Sequence, residues 1–234
     1  MRAFIFAAGL GTRLKPLTDT RPKALVKYHG KPMIDIVIDT LKAHGVDSFL
    51  VNIHHFGEQI IEHLQAREDR DIFSISDERD LLRDTGGAIR HAALHNMLGD
   101  EPFLVHNVDI MSNLDLRSMQ KAHKEGALAT LLVSQRETSR YLLFDNSMRL
   151  VGWTNIATGE VKSPYADLDV SKCTKRAFGG IHIMDNRVGQ RMTEWREKFS
   201  IIDFYLAVCQ TEPIYGYEQP NLQLTDIGKL SQLQ

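Results

Sequence analysis

The chain has 234 residues, 43% hydrophobic and 25% charged, an ordinary soluble composition with enough apolar material for one large core. Its formal net charge of −2 excludes bulk attraction to nucleic acid or to an anionic membrane, so an anionic ligand must be met by a local cluster of positive charge. No apolar run approaches the ~20 residues that span a bilayer, and Cys173 and Cys209 lack the CxxC spacing of metal or thioredoxin-like sites. So few cysteines suit a reducing cytoplasm. The opening MRAFIFAAGLG passes directly into TRLKPLTD with no A-x-A pattern, so it reads as structure and not as a signal peptide.

In chain order, residues 2–7 form a short apolar run with the pattern of a buried strand. Pro32 suits the first turn of a helix over residues 33–44, where Met33, Ile36, Val37 and Leu41 make an apolar stripe that Gly45 ends. A strand over 48–53, a helix over 58–66 and a shorter strand over 72–76 follow. Residues 87–97 read as a helix stopped by Gly99, and 102–105 as a strand running into the polar tip His106-Asn107-Val108-Asp109. A helix over 116–125 and a strand over 128–133 complete a β-α-β-α-β-α-β-α-β order. That order implies a mainly parallel sheet with helices on both faces and ligands outside the carboxyl ends of the strands. Beyond residue 135 the rhythm changes. Residues 141–144 and 150–153 read as a hairpin, and 155–175 as a polar stretch without clear structure. Residues 177–184 read as a strong strand, and 187–198 and 201–210 as helices. With no linker, repeat or low-complexity tract, one domain is expected, with a nucleotide-binding part over 1–134 and an acceptor part over 135–234.

The first loop carries the most chemistry. Ala8, Gly9, Leu10, Gly11, Thr12 and Arg13 follow the first strand, and Arg21-Pro22-Lys23 comes soon after. Glycines at 9 and 11 let the backbone approach a ligand and turn N–H groups toward an anion. Arg13 can hold phosphate oxygens bidentately, and Lys23 adds a point charge. Between residues 13 and 31, Arg13, Lys15, Arg21, Lys23, Lys27 and Lys31 face a single acid, Asp19. The loop is not a P-loop, because GxxxxGK[ST] is absent. Nor is it a Rossmann fingerprint, because Leu14 stands where a third glycine belongs and the strand over 48–53 ends without an acid.

AAGLGTRLKPLT followed by RPK resembles the signature of the sugar-1-phosphate nucleotidyltransferases. The resemblance implies a Rossmann-like three-layer αβα sandwich with a mixed, mainly parallel sheet of GT-A-like type. It implies that Ala8–Arg13 wrap a nucleoside triphosphate and that Arg13 and Lys23 neutralise its phosphates in catalysis. Asp84-Thr85-Gly86-Gly87-Ala88 resembles the family segment against the nucleobase, which adds Thr85, Gly86 and Gly87 to the nucleotide site. A helix cap by Asp84 or Thr85 is the structural alternative. Asn107 and Asp109 resemble the strand-tip pair whose acid binds Mg²⁺, although the common form has Gly in place of Val108. Leu224-Thr225-Asp226-Ile227-Gly228 resembles the late D-[IV]-G motif, making Asp226 a second metal ligand in altered surroundings. Residues 160–164, GluValLysSerPro, loosely resemble the element whose lysine meets the sugar phosphate, which nominates Lys162. Ala177-Phe178-Gly179-Gly180 resembles the strand lining the sugar pocket, which nominates Gly180, with a β-bulge as the alternative.

His91 and His95 share a helix face but lack the Glu of HExxH and a third ligand, so no zinc site is expected. No G-x-S-x-G is present. The reading is a Mg²⁺-dependent enzyme that joins a nucleoside triphosphate to a sugar 1-phosphate and releases pyrophosphate. Among such enzymes the short length and the DTGG segment resemble N-acetylmuramate-1-phosphate uridylyltransferases and mannose-1-phosphate guanylyltransferases, with the lean toward the former. A phosphocholine cytidylyltransferase-like enzyme and a non-catalytic nucleotide-sugar-binding module stay open beside it. A GT-A glycosyltransferase is disfavoured, because Asn107-Val108-Asp109 only half matches DxD.

Overall fold

The computed structural model describes residues 1–232 and turns the strand–helix alternation into a sheet between two helical layers. The first half contains β1 (Arg2–Phe6), β2 (Lys27–Tyr28), β3 (Lys31–Pro32), α1 (Met33–Ala43), β4 (Ser48–Ile53), α2 (Gly57–Gln65), β5 (Phe73–Asp77) and α3 (Asp84–Leu94). Next come β6 (Phe103–Asn107), β7 (Ile110–Ser112), α4 (Leu116–Ala122) and β8 (Ala129–Ser134). The remainder contains β9 (Arg140–Phe144), β10 (Leu150–Asn155), β11 (Glu160–Lys162), β12 (Thr174–Met184), α5 (Val188–Met192), α6 (Ile201–Val208), β13 (Ile214–Glu218) and β14 (Leu224–Asp226). Among the described residues no helix is long and apolar enough to cross a membrane.

Alternation along the central strands assigns each residue to a layer. Ala3 and Ile5 of β1 pack with Ile34, Ile38, Ile60 and Met119 of α1, α2 and α4. Phe4, between them, packs with Ile89, Val188 and Phe204 of α3, α5 and α6. Both faces are therefore covered, which is why β1 reads as a continuous apolar run.

The main sheet runs β11-β10-β9-β12-β6-β1-β4-β5, with β8 between β12 and β13 on a side branch. β6, β1, β4 and β5 are parallel, and β13 is parallel to β8. β12 is antiparallel to β6, β8 and β9, and it joins the parallel half to the β9–β11 meander. From β1 the chain proceeds outward through β4 to β5, then returns to place β6 on the other side of β1. This reversal opens a crevice outside the carboxyl ends of β1 and β6, the place where such sheets hold ligands.

The structure departs most from the sequence reading in the acceptor part, beyond residue 154. The helix expected over 187–198 is one short turn, Val188–Met192. At Gly189 an added Cβ would sit 2.8 Å from the Cβ of Ala93, so α5 lies hard against α3 and the chain then turns away. The polar stretch 155–175 contains β11 and a 3-10 turn, Val170–Lys172. β13, absent from the sequence reading, extends the sheet beyond β8.

Candidate active site

The loop after β1 is shaped by its small residues. Gly11 has φ +65°, and a Cβ there would lie 2.7 Å from Thr18 and 3.0 Å from Lys23, so this position requires glycine. The Thr18 hydroxyl donates to the Gly11 carbonyl at 2.9 Å and closes the loop. Residues Thr12–Leu14 form a 3-10 turn whose buried Leu14 anchors it in the core. A second 3-10 turn, Lys23–Leu25, starts after Pro22 and aims Lys23 back under the loop. A Cβ at Gly9 would meet nothing within 4 Å, so the loop is open there.

Asp109 lies just past β6. It caps no helix, because β7 follows it directly. β14 pairs antiparallel with β7 and sets Asp226 opposite Ile110. The Ile227 amide donates to the Asp109 carbonyl at 2.9 Å, which fixes the two acidic segments to each other. The Lys23 ammonium contacts Asp109 Oδ2, with both side chains largely buried. Arg13 spans the acids, 3.8 Å from Asp109 Oδ2 and 3.8 Å from Asp226 Oδ2. Two acids and two cations, drawn from residues 13 to 226, thus share one spot.

A cleft of about 400 Å³ opens beside them. Ala8, Gly9, Arg13 and Lys23 line it from the loop side, and Thr85, Asn107 and Asp109 from the other strands and α3. Leu10, Gly11 and Thr12 continue the loop outside that lining. Ala8 does not offer its N–H to a ligand, because that group is committed to Asn52 at 3.3 Å.

Three expectations change on the structure. Lys162 is not in the cleft. β11 pairs with β10, Lys162 falls opposite Trp153, and its ammonium sits 5.2 Å from the indole centroid and 3.6 Å from Glu160. Gly86 and Gly87, placed in the nucleotide site by the resemblance, do not line the cleft. A Cβ at Gly86 would meet the Phe199 ring at 2.3 Å, and one at Gly87 the Glu197 carbonyl oxygen at 2.2 Å. Their smallness seats the 197–199 segment against α3, where both their amides donate to the Phe199 carbonyl. Arg83 and not Thr85 or Asp84 stands at the N-cap of α3: Asp84 Oδ1 accepts the Thr85 N–H at 2.6 Å within the first turn, and the Thr85 hydroxyl accepts the Ile201 N–H at 2.9 Å. Gly180 has φ +71° and lies against Asn107, its virtual Cβ 2.7 Å from the amide nitrogen. The bulge alternative also holds, because the β12–β8 register shifts between Phe178 and His182.

Gly86→Ala is expected to lower stability by about 1–3 kcal/mol, the usual range for overpacking. Thermal melts check this, and an unchanged midpoint would mean that Phe199 has room to yield.

Sequence reasoning missed three polar cleft residues: Lys198, Glu78 and Asn52. Lys198 rides on the segment seated by Gly86 and Gly87. Among the described residues it is the cleft cation with no carboxylate within 4 Å. Only a lysine at the end of an expected helix marked it. Asn52 interrupts the apolar run of β4, which was a readable sign of a buried polar role.

Glu78 is wholly buried, and burial pushes its carboxyl up to about 7 despite the Asn52 hydrogen bond. Burial drives four histidines the other way, His91 and His123 among them, and two fall far. His106 falls to about 4 and His182, bonded to the Tyr205 hydroxyl, to about 3. Between roughly pH 4.5 and 6.5 the unfolded chain takes up protons at both histidines that the fold refuses. The fold keeps one at Glu78 that the unfolded chain gives up. The histidines therefore cost stability as pH falls below about 6.5, and Glu78 costs stability as pH rises from about 4.5 to 7. Two sites outweigh one, so denaturant melts are expected to show stability falling from pH 6.5 to 4.5, more steeply in Glu78→Gln. An equal slope in that variant would remove Glu78 from the balance.

A family model described as nucleotidyl transferase matches residues 2–142. The N-acetylmuramate alpha-1-phosphate uridylyltransferase of Caulobacter vibrioides is 46% identical over 110 residues, 46% of this chain and 45% of that protein. The mannose-1-phosphate guanyltransferase of Schizosaccharomyces pombe is 31% identical over 205 residues, 82% of this chain and 52% of that one. The chain spans about half the length of the curated relatives it matches. Among solved structures, HddC from Yersinia pseudotuberculosis complexed with GMP-PN superposes with a TM-score of 0.77 at 20% identity, over 99% of this chain and 96% of that one. That likeness concerns the fold. With the family model covering more than half its length, the chain belongs to the nucleotidyl transferase family, that of the sugar-1-phosphate nucleotidyltransferases its first loop resembles.

Proposed function

We propose that this protein transfers a nucleotidyl group from a nucleoside triphosphate to a sugar 1-phosphate and releases pyrophosphate. The observation that carries the reading is the meeting of Arg13 and Lys23 with Asp109 and Asp226 at the mouth of one cleft. An oxygen of the acceptor's phosphate attacks the α-phosphorus, and the bond to the bridging oxygen of pyrophosphate breaks. A phosphate monoester is already anionic, so no general base is required. The chain must supply alignment and charge neutralisation. Arg13 and Lys23 hold the departing pyrophosphate, and the loop fixes the triphosphate.

The two carboxylates suit Mg²⁺. The position a Gly228 side chain would take lies 2.4 Å from Asp109 Oδ2 and 2.9 Å from Asp226 Oδ1, so two hard oxygen donors converge there beside the Arg13 guanidinium. Among the described residues no third His, Cys, Asp or Glu joins them. Magnesium commonly takes its remaining ligands from water and substrate phosphates. When bound it would offset charge on the phosphate oxygens. Arg13 and Lys23 pair with the same two acids.

Lys198 faces this centre from the α3 side and is the cation available to the acceptor's phosphate, the role first given to Lys162. Lys198→Ala is expected to raise KM for the sugar phosphate about tenfold, the worth of one charge-assisted hydrogen bond, while leaving KM for the nucleotide unchanged. Equal rises in both constants would detach Lys198 from the acceptor.

Uridylyl and guanylyl transfer are the readings favoured by the relatives, with N-acetylmuramate 1-phosphate as the first acceptor to try. Phosphocholine is disfavoured. A choline pocket needs open aromatic faces, and Trp153 already carries the Lys162 ammonium. The test is pyrophosphate release across the five common nucleoside triphosphates with a panel of sugar 1-phosphates and phosphocholine, with Mg²⁺ and with EDTA. Magnesium-dependent release with one pair supports the reading. Nucleotide binding with no release for any pair sinks it and leaves a binding module.

A further inference from the structure

Three strand ends meet behind the nucleotide loop. Asn52, at the end of β4 and 3% exposed, accepts two backbone N–H groups with one oxygen, from Ala7 at 2.8 Å and Ala8 at 3.3 Å. Those residues lead from β1 into Gly9. Because Asn52 Oδ1 faces two donors, its Nδ2 must point the other way, and there it donates to Glu78 Oε1 at 3.1 Å. Glu78 follows β5 and is held at two further points. Its amide donates to the Ile53 carbonyl at 2.9 Å, and its carbonyl accepts from His54 Nδ1 at 2.7 Å. Its second carboxyl oxygen is buried without a partner.

A wholly buried carboxyl with one bare oxygen is an expensive way to fill space. The cost has a return in geometry. An acceptor at this point fixes which way the Asn52 amide faces, and that amide fixes the first step of the loop. We propose that Asn52 and Glu78 are positioning residues that set the nucleotide loop against the acidic pair, acting through the backbone of Ala7 and Ala8 and touching no reacting atom. The proposal rests on the nucleotidyl-transfer reading above.

The direction of the hydrogen bonds makes it testable by exchange. Asn52→Asp keeps an oxygen for Ala7 and Ala8 but sets a second carboxylate oxygen against Glu78. In Asn52→Asp/Glu78→Gln the donor and acceptor change places, and the amide introduced at position 78 can donate to the new carboxylate at position 52. The two variants and the wild type are compared by steady-state pyrophosphate release, using UTP with N-acetylmuramate 1-phosphate and GTP with mannose 1-phosphate. Thermal midpoints are read alongside. The single variant is expected to lose about tenfold or more in kcat/KM for the nucleotide, the scale of a sub-ångström misplacement. Its KM for the sugar phosphate should not change, and the double variant should recover most of the loss. A single variant with a lowered midpoint but wild-type nucleotide kinetics would overturn the proposal, since that is what a merely structural bond predicts. So would a double variant no better than the single. Should Asn52→Asp not fold, Glu78→Ala leaves the loop bonds intact, and unchanged nucleotide KM there overturns the proposal. If the wild type itself releases no pyrophosphate, the transfer reading fails separately. UTP and GTP affinities of the same proteins, by titration calorimetry, then decide the strut: weakening with recovery in the double variant supports it, and equal affinities refute it.

Discussion

Asp109→Asn is expected to cut turnover by about 10²–10³-fold while the fold survives, the usual cost of removing one group that stabilises the transition state. Asparagine matches the shape of aspartate, and the structural bond at this position uses the backbone: the Asp109 carbonyl still receives the Ile227 amide. What disappears is the charge. Lys23 touches Asp109 and is largely buried, so it loses the partner that holds it beneath the loop. Arg13, shared between two acids, is left with Asp226 at 3.8 Å. A hard cation would find one carboxylate where it had two. Pyrophosphate release and a thermal melt on the same preparation check the claim. Near-wild-type turnover would take Asp109 out of the mechanism, and a collapsed melt would show that its charge serves the fold instead.

Gly228→Ala is expected to silence the enzyme from a residue that carries no functional group. Its methyl would lie 2.4 Å from Asp109 Oδ2, 2.8 Å from Arg13 Nη2 and 2.9 Å from Asp226 Oδ1. All three are ends of side chains, so they can swing aside and the backbone need not move. Stability should fall by less than about 2 kcal/mol, within the common range for single substitutions. Activity should fall about 100-fold or more, because the swing displaces the acids and Arg13 by about an ångström. Turnover within about threefold of wild type would mean that the placement of the carboxylates is not used.

The parallel half of the fold was legible because each strand and helix in it is buried in a simple pattern. β1 is apolar throughout and α1 carries a clean stripe, so period and length sufficed. The acceptor half was less legible for physical reasons. β11 is exposed along its length, and β7 and β14 are three residues each, too short to show a period. Their pairing across more than a hundred residues is what unites Asp109 with Asp226, and only the motif around each acid hinted at it. The candidate site divided the same way. Arg13, Lys23 and Asp109 stand in dense local motifs and came together in space. Lys162 stood in a loose one and went elsewhere, because a three-residue strand is aimed by its neighbour and not by its own sequence. Gly86 and Gly87 stood in a recognisable motif, but sequence shows that a side chain is forbidden and not what forbids it. Phe199 and Glu197 occupy the space their side chains would need.

The β7–β14 pair also bears on the order in which the protein becomes competent. Every parallel strand of β6-β1-β4-β5 has been made by residue 107, and the loop with both its cations lies within the first 25 residues. These contacts can form while the rest of the chain is still being synthesised, as domains and their parts do when local partners suffice. Asp226 is different. Its contact with the Asp109 segment closes a loop of more than a hundred residues, among the slowest kinds of contact to make. A growing chain thus holds the outline of a nucleotide cleft well before it holds the second acid. On the proposed reading, the acid pair that transfer needs is completed only when this last contact closes.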